Sequence, residues 1–287
     1  MLQDFDIYNK SLDSLPEGRL LITTINAHSY NVSREDAEFK QALLASDVLI
    51  PDGISVVWAV KLLERAKSKE SRAKSKEQRA KSQEPRTKSQ EQRAKNKEPR
   101  IKNQEPRTKT LKKIAGEDLF YWEMERLEQR AKSKEQRTWR QESRTKNQES
   151  RQEENEKAEA KAKAMFLGST EAVLAKIKAR AAVEFPNVEV HTYSPPYKPE
   201  FSDEDNRAMY AAINAVQPDV LFIGMTAPKQ EKWAYKLVTS YKLRVTSKEL
   251  GEENKNSEFK SQNSELSLHV CCIGAVFDFY AGTVERA

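Results

Sequence analysis

The sequence predicts an α/β fold: one domain on a Rossmann-like, mostly parallel sheet with helices on both faces. Three observations carry this reading. Apolar runs of strand length recur, among them Val48-Leu49-Ile50, Met165-Phe166-Leu167 and Val220-Leu221-Phe222-Ile223, and such continuous runs mark strands buried on both faces. Segments of helical spacing separate them, the alternation that builds parallel crossover units. The runs end in glycine, proline or polar turns, which right-handed crossovers gather at one edge of the sheet. That edge is where a binding site is expected.

The elements follow in order. Leu20-Leu21-Ile22-Thr23-Thr24 reads as the first strand. A helix is expected over residues 34–45, with Ser33 as its N-cap and Ala37, Leu43 and Leu44 on its buried side. Val48-Leu49-Ile50 is a short strand stopping at Pro51-Asp52-Gly53, and a helix over residues 55–63 follows. Beyond a long polar tract, Glu117-Asp118-Leu119-Phe120-Tyr121-Trp122 opens a helix. A strand resumes at Ala164, turns at Gly168-Ser169 and gives way to a helix ending at Phe185. Residues 188–193 form a strand and Ser194-Pro195-Pro196-Tyr197 a rigid turn. Residues 203–216 are helical, 219–223 a strand, and 228–237 a helix opened by Pro228. Residues 269–279 supply a last strand and turn.

Three polar tracts interrupt this pattern. Residues 64–110 repeat a seven-residue unit, Arg65-Ala66-Lys67-Ser68-Lys69-Glu70-Ser71 and its variants. Residues 130–163 hold a degraded relative, and 244–267 are rich in Ser, Asn, Glu and Lys. The domain is thus expected over residues 1–63, 111–129, 164–243 and 268–287. A coiled coil needs two apolar positions per heptad, and these repeats offer only Ala, Thr or Ile at one. Pairs such as Glu70 with Lys74 and Glu77 with Lys81 support a helix weakly, while Pro85, Pro99 and Pro106 interrupt it. The tracts read as solvated, partly helical or disordered insertions.

The repeats also distort the charge balance. The chain has 50 basic and 44 acidic residues, but 17 basic and 7 acidic residues fall between Glu64 and Lys109. The remainder is slightly acidic, so no nucleic-acid partner is expected of the domain. No signal peptide or membrane-spanning run is evident, which suggests a cytoplasmic chain, peripheral at most. Cys271 and Cys272 are adjacent in an apolar strand and read as buried, reduced thiols.

Four strand-end clusters are candidates for chemistry. In Gly224-Met225-Thr226-Ala227-Pro228-Lys229-Gln230-Glu231, the residues Lys229, Gln230 and Glu231 fall where a first helical turn leaves N–H groups unpaired, a place for an anion. An ordinary strand-to-helix junction explains the same residues equally well. Asp52, between Pro51 and Gly53, suits a partly desolvated general base; the residues alone favour a helix cap instead. Gly168-Ser169-Thr170 is a weak phosphate-loop signal with a single glycine. Thr24 and Asn26 close the first strand. Asp203-Glu204-Asp205 reads as an acidic helix start after Ser202 rather than a metal site. His28, His191 and His269 are too scattered to suggest one, and no metal or cofactor is expected.

Six motifs together resemble the WecG/TagA/CpsF glycosyltransferases. They are Thr24-x-Asn26, Ala45-Ser46-Asp47-Val48-Leu49-Ile50-Pro51-Asp52-Gly53, Gly116-Glu117-Asp118-Leu119-Phe120, Phe166-Leu167-Gly168-Ser169, Ala227-Pro228-Lys229-Gln230-Glu231 and Gly274-Ala275-Val276-Phe277-Asp278-Phe279-Tyr280-Ala281-Gly282. The resemblance implies inverting, metal-independent transfer from a UDP-sugar to a polyprenyl-diphosphate-linked acceptor at the inner membrane face. The donor it suggests is N-acetylmannosamine or a related hexose. It implies Asp52 as the base, and Thr24, Asn26, Gly53, Gly168, Ser169, Lys229, Gln230 and Glu231 as substrate contacts. Family members continue beyond the position of Ala287 into a helical appendage that supplies membrane contact and basic residues. Two other readings stand beside this one: a remnant that only binds UDP-sugar, and a nucleic-acid-associated protein acting through the repeats. Homo-oligomerisation is left open.

Overall fold

The computed structural model describes residues 2–83, 112–142, 161–249 and 268–285. Among these residues six strands form one sheet: β1 (Leu20–Ile25), β2 (Val48–Pro51), β3 (Ala162–Gly168), β4 (Val188–Tyr193), β5 (Val220–Gly224) and β6 (His269–Cys272). Their order is β2-β1-β6-β5-β3-β4, and every neighbouring pair is parallel. The helices are α1 (Ala27–Glu35), α2 (Ala37–Leu44), α3 (Ile54–Gln83), α4 (Gly116–Glu142), α5 (Glu171–Glu184), α6 (Asp203–Val216), α7 (Lys229–Glu249) and α8 (Val276–Tyr280). The expected α/β architecture is the observed one.

Two-residue periodicity places helices on both faces. Leu20, Ile22, Ala164, Phe166, Val220, Phe222 and Cys271 join one buried cluster with Leu119, Phe120 and Met124 of α4, Leu174 and Ile177 of α5, and Phe277 and Tyr280 of α8. Leu21, Met165, Leu167, Leu221, Ile223, Val270 and Cys272 face the other way, against Met209 and Ile213 of α6 and Trp233, Ala234 and Leu237 of α7. A third cluster gathers Phe5, Ile25, Phe39, Leu43, Leu49 and Val56. Phe120 anchors the first: its ring centroid lies 4.5 Å from that of Tyr280 and 5.3 Å from that of Phe222. Burying one such ring stabilises the fold by roughly 1.5–3 kcal/mol. Cys271 and Cys272 are free and buried, and burial pushes both thiols up.

The region after β1 differs from expectation. Two helices occupy residues 27–44, because Asn26 caps the first and Asp36 the second. Ser33 is no cap; it is buried inside α1, with its hydroxyl donating to the Tyr30 carbonyl. A helix beginning after Asp36 points Phe39, Ala42 and Leu43 inward, so Ala37 and Leu44 lie exposed on the opposite arc. Residues 269–279 form a strand and the helix α8 rather than a strand and turn.

The boundaries of the repeats also shift. α3 runs without interruption from Ile54 to Gln83, well past the expected end at Leu63. α4 extends to Glu142, and β3 begins at Ala162. Pro85, Pro99 and Pro106 lie outside the described residues, as do most of the three polar tracts.

The edge opposite the strand C-termini is closed by charge. Glu123 of α4 is buried between the His269 ring and Arg126, whose guanidinium reaches its carboxylate at 2.8 Å. Asp219 accepts from the Lys163 amide at 2.9 Å and pairs with Arg130 at 3.0 Å. These contacts tie α4 to β3 and β6 at that edge.

Candidate active site

Strand order puts a topological switch between β5 and β3. The chain leaves β3 for β4 on one side, and β5 for β6 on the other. At such a point the loops diverge above the strand C-termini and leave a crevice. Here it is a cleft of about 970 Å³, and Thr24, Asn26, Asp52, Gly168, Ser169, Lys229, Gln230 and Glu231 all line it. Gly53, the remaining predicted residue, borders the cleft through its neighbours Asp52 and Asn26.

Asp52 is fixed by the pairing of β1 with β2. Ile25 stands opposite Pro51, the Asp52 amide donates to the Ile25 carbonyl at 2.9 Å, and Ile114 N–H donates to the Pro51 carbonyl at 3.2 Å. The next residue, Gly53, has φ +130, a conformation that disfavours any side chain. The residue immediately before α3 is Gly53, so Asp52 stands one place too early to be the N-cap. Asp52 is half-buried at the mouth of the crevice.

Asn26 has a double position. Its Oδ1 accepts from the Ser29 amide at 2.9 Å, and the Asn26 amide donates to Ser29 Oγ at 2.7 Å, a reciprocal capping box. Asn26 also lines the cleft, and the cap uses its Oδ1 rather than its carboxamide nitrogen.

The turn after β3 is tightly determined. Gly168 lies in register with Gly224, and a Cβ on Gly168 would sit 2.4 Å from the Gly224 carbonyl oxygen. A Cβ on Gly224 would in turn meet the Phe277 ring at 2.4 Å. Ser169 follows with φ +58, left-handed for a residue that bears a side chain, and its carbonyl accepts from Ser194 Oγ at 2.7 Å. Thr170 then caps α5, its hydroxyl accepting from the Val173 amide. Thr170 and Glu171, at the start of that helix, are lining residues of the cleft.

The turn after β5 behaves differently from expectation. The amides of Lys229 and Gln230 both donate to the Thr226 carbonyl, at 3.1 and 3.4 Å, so they are not unpaired donors awaiting an anion. The chain doubles back at Thr226 and closes its own first turn. Lys229 sends its ammonium to the Lys198 carbonyl and over the Phe201 ring, 3.5 Å from the centroid. Burial holds its pKa below the usual lysine range.

The chemistry of this turn lies instead in two side chains. Gln230 and Glu231 are 4% and 1% exposed, and Gln230 Nε2 donates to Glu231 Oε1 at 2.8 Å. Gln230 Oε1 and Glu231 Oε2 are buried with no hydrogen-bond partner among the described residues. Burial raises the Glu231 carboxyl to about 7.

Several lining residues were not among the expected substrate contacts. Gly274 follows β6, has φ +50, and approaches the Gln230 carboxamide; the rule that singled out the other strand ends applies to it equally. Ser194, Tyr197 and Asp278 also line the cleft; Asp278 falls within the motif that begins at Gly274, whereas Ser194 and Tyr197 belong to none of the six. Asp203, Glu204 and Asp205 open α6 as expected, with Ser202 and Asp205 forming a capping box. Hydrogen bonds from Lys198 and Ser202 hold Asp205 down to about 2. Among the described residues no group of three or more His, Cys, Asp or Glu could hold a metal ion. Nor among them is any helix long and apolar enough to cross a membrane.

The family model for glycosyl transferases of the WecG/TagA/CpsF family matches residues 6–76 and 150–247, more than half of the chain. The chain belongs to the WecG/TagA/CpsF glycosyltransferase family. No curated protein matches the chain. Membership makes it a glycosyltransferase of cell-surface polysaccharide synthesis, with sugar donor and acceptor substrates. The matched blocks carry Thr24, Asn26, Asp52, Gly53, Gly168, Ser169 and the Lys229-Gln230-Glu231 turn. The other two WecG/TagA/CpsF-like motifs, at Gly116 and Gly274, lie outside those blocks but pack together. A Cβ on Gly116 would meet Val276 at 3.3 Å.

Proposed function

We propose that the chain transfers N-acetylmannosamine, or a related hexose, from a UDP-sugar to a polyprenyl-diphosphate-linked acceptor sugar, with inversion. The acceptor hydroxyl oxygen attacks the anomeric carbon and loses its proton to the Asp52 carboxylate. The bond from that carbon to the β-phosphate oxygen breaks, and its electron pair leaves with UDP. Thr24 and the Asn26 carboxamide contact the donor sugar, while Gln230 and Glu231 receive its hydroxyl or amide donors. The donor diphosphate lies over the Gly168-Ser169 turn and the first amides of α5, where helix polarity favours negative charge.

The convergence of these strand-end residues on one crevice carries the reading, with Asp52 held at its mouth by β1–β2 pairing. Product stereochemistry tests it. With a UDP-α-sugar and a short-chain GlcNAc-diphospholipid, proton NMR of the product should show a β linkage. An α linkage would require a different mechanism and remove the need for a base at Asp52.

A further inference from the structure

α3 leaves the lip of the cleft at Gly53 with its inner side buried through Val56 and Val57. Its outer side carries Ile54, Trp58 and Leu62, which are 61%, 71% and 68% exposed. Spaced at i, i+4 and i+8, they form a stripe along one arc of roughly 100°. Helical spacing sets Lys61, Arg65 and Lys69 on that same arc, and Glu64 off it. Large apolar side chains interleaved with cations suit neither a solvated face nor a protein core. The combination fits an interface that is apolar at depth and anionic at its surface.

We propose that this face of α3 is a docking surface for an anionic lipid bilayer. Trp58, with Ile54 and Leu62 on either side, inserts at headgroup depth. Lys61, Arg65 and Lys69 lie against lipid phosphates, their aliphatic stems extending the apolar contact. A second copy of the chain is the poorer occupant. Pairing two such faces would bring two rows of cations together, and three apolar residues fall short of the area a stable dimer buries. Because α3 begins beside Asp52 and Gly53, a bilayer on this face would bring the mouth of the cleft towards the membrane surface. That consequence rests on the proposed lipid-linked acceptor; docking itself does not.

The test is co-flotation of the full chain with vesicles of phosphatidylcholine alone or with 30% phosphatidylglycerol (about one anionic lipid in three, a strongly negative surface). The chain should float with the anionic vesicles, and brominated lipid should quench fluorescence in the wild type but much less in Trp58→Phe. Trp58→Ser/Leu62→Ser should weaken partitioning at least tenfold, and Lys61→Gln/Arg65→Gln/Lys69→Gln should abolish the preference for phosphatidylglycerol. Both variants alter side chains that are exposed or, at Lys61, half-buried, so circular dichroism should match the wild type. Wild-type partitioning by the apolar variant would overturn the proposal, as would quenching that Trp58→Phe does not reduce. A loss of dimer on gel filtration without any change in flotation would assign the face to a second copy instead. Transfer to a water-soluble short-chain acceptor should be unchanged in the apolar variant, which separates failure of docking from failure of the proposed reaction.

Discussion

Gln230 Nε2 donates to Glu231 Oε1 across 2.8 Å, leaving Gln230 Oε1 and Glu231 Oε2 buried on the wall of the cleft without a partner among the described residues. Neighbouring side chains on a helix normally diverge, and here the first turn of α7 brings them together. Burying two acceptors without donors is costly, and a sugar hydroxyl donating to them can relieve that cost.

The Glu231 carboxyl also couples stability to pH. Burial raises it from 4.5 to about 7, so the folded state holds its proton more tightly than the unfolded chain does. The resulting stability is complete below 4.5 and is lost as pH climbs from there through about 7, roughly 3 kcal/mol in all. Glu231→Gln removes this dependence. Urea unfolding at pH 4.5 and pH 8 should show the wild type losing ground to the variant by about that amount; parallel curves would contradict the assignment.

Asn26 separates capping from binding. Asn26→Asp keeps the acceptor for Ser29 and should unfold within about 0.5 kcal/mol of wild type, whereas Asn26→Ala should cost about 1 kcal/mol. Both lose the carboxamide nitrogen, so both should weaken UDP-sugar binding by calorimetry. Normal affinity in the Asp variant would confine Asn26 to the cap.

Gly168 tests the turn after β3. A methyl group there would meet the Gly224 carbonyl at 2.4 Å in a backbone conformation that disfavours side chains. Gly168→Ala should therefore cost on the order of 3 kcal/mol in urea unfolding. A loss below 1 kcal/mol (about the ordinary single-substitution level) would show that the turn relaxes easily.

Glu123 tests the closed edge of the sheet. Glu123→Ala removes the carboxylate shared by Arg126 and His269, and leaves the partly buried Arg126 guanidinium without its counter-charge. The expected loss is about 3–5 kcal/mol by chemical denaturation. A near-neutral result would mean that Arg126 swings into solvent.

Much of this fold was legible because buried parallel strands announce themselves. Val48-Leu49-Ile50 and Val220-Leu221-Phe222-Ile223 are apolar without interruption, and both lie where expected. α1 was not legible, since its buried residues are Ser29 and Ser33 and give no apolar stripe. Its cap pairs Asn26 with Ser29, a weaker signature than a glutamate at that position. The strand-end rule singles out Asp52, Gly168 and the Lys229-Gln230-Glu231 turn, all of which line the cleft. It could not foresee that Lys229 and Gln230 turn their amides back on Thr226, because that depends on the path of the chain from Gly224 to Pro228. Nor could spacing alone show that Gly168, Gly224 and Phe277 stack across three elements.

The central claim is that Asp52 takes the acceptor proton. The most direct measurement is UDP release by purified wild type and Asp52→Asn, given UDP-N-acetylmannosamine and a short-chain GlcNAc-diphospholipid. The account predicts acceptor-dependent release by the wild type. In the variant it predicts a loss of roughly 10²–10⁴-fold, the ordinary contribution of a positioned base, with UDP binding and the unfolding midpoint preserved. Equal turnover by the two proteins would contradict the assignment of Asp52.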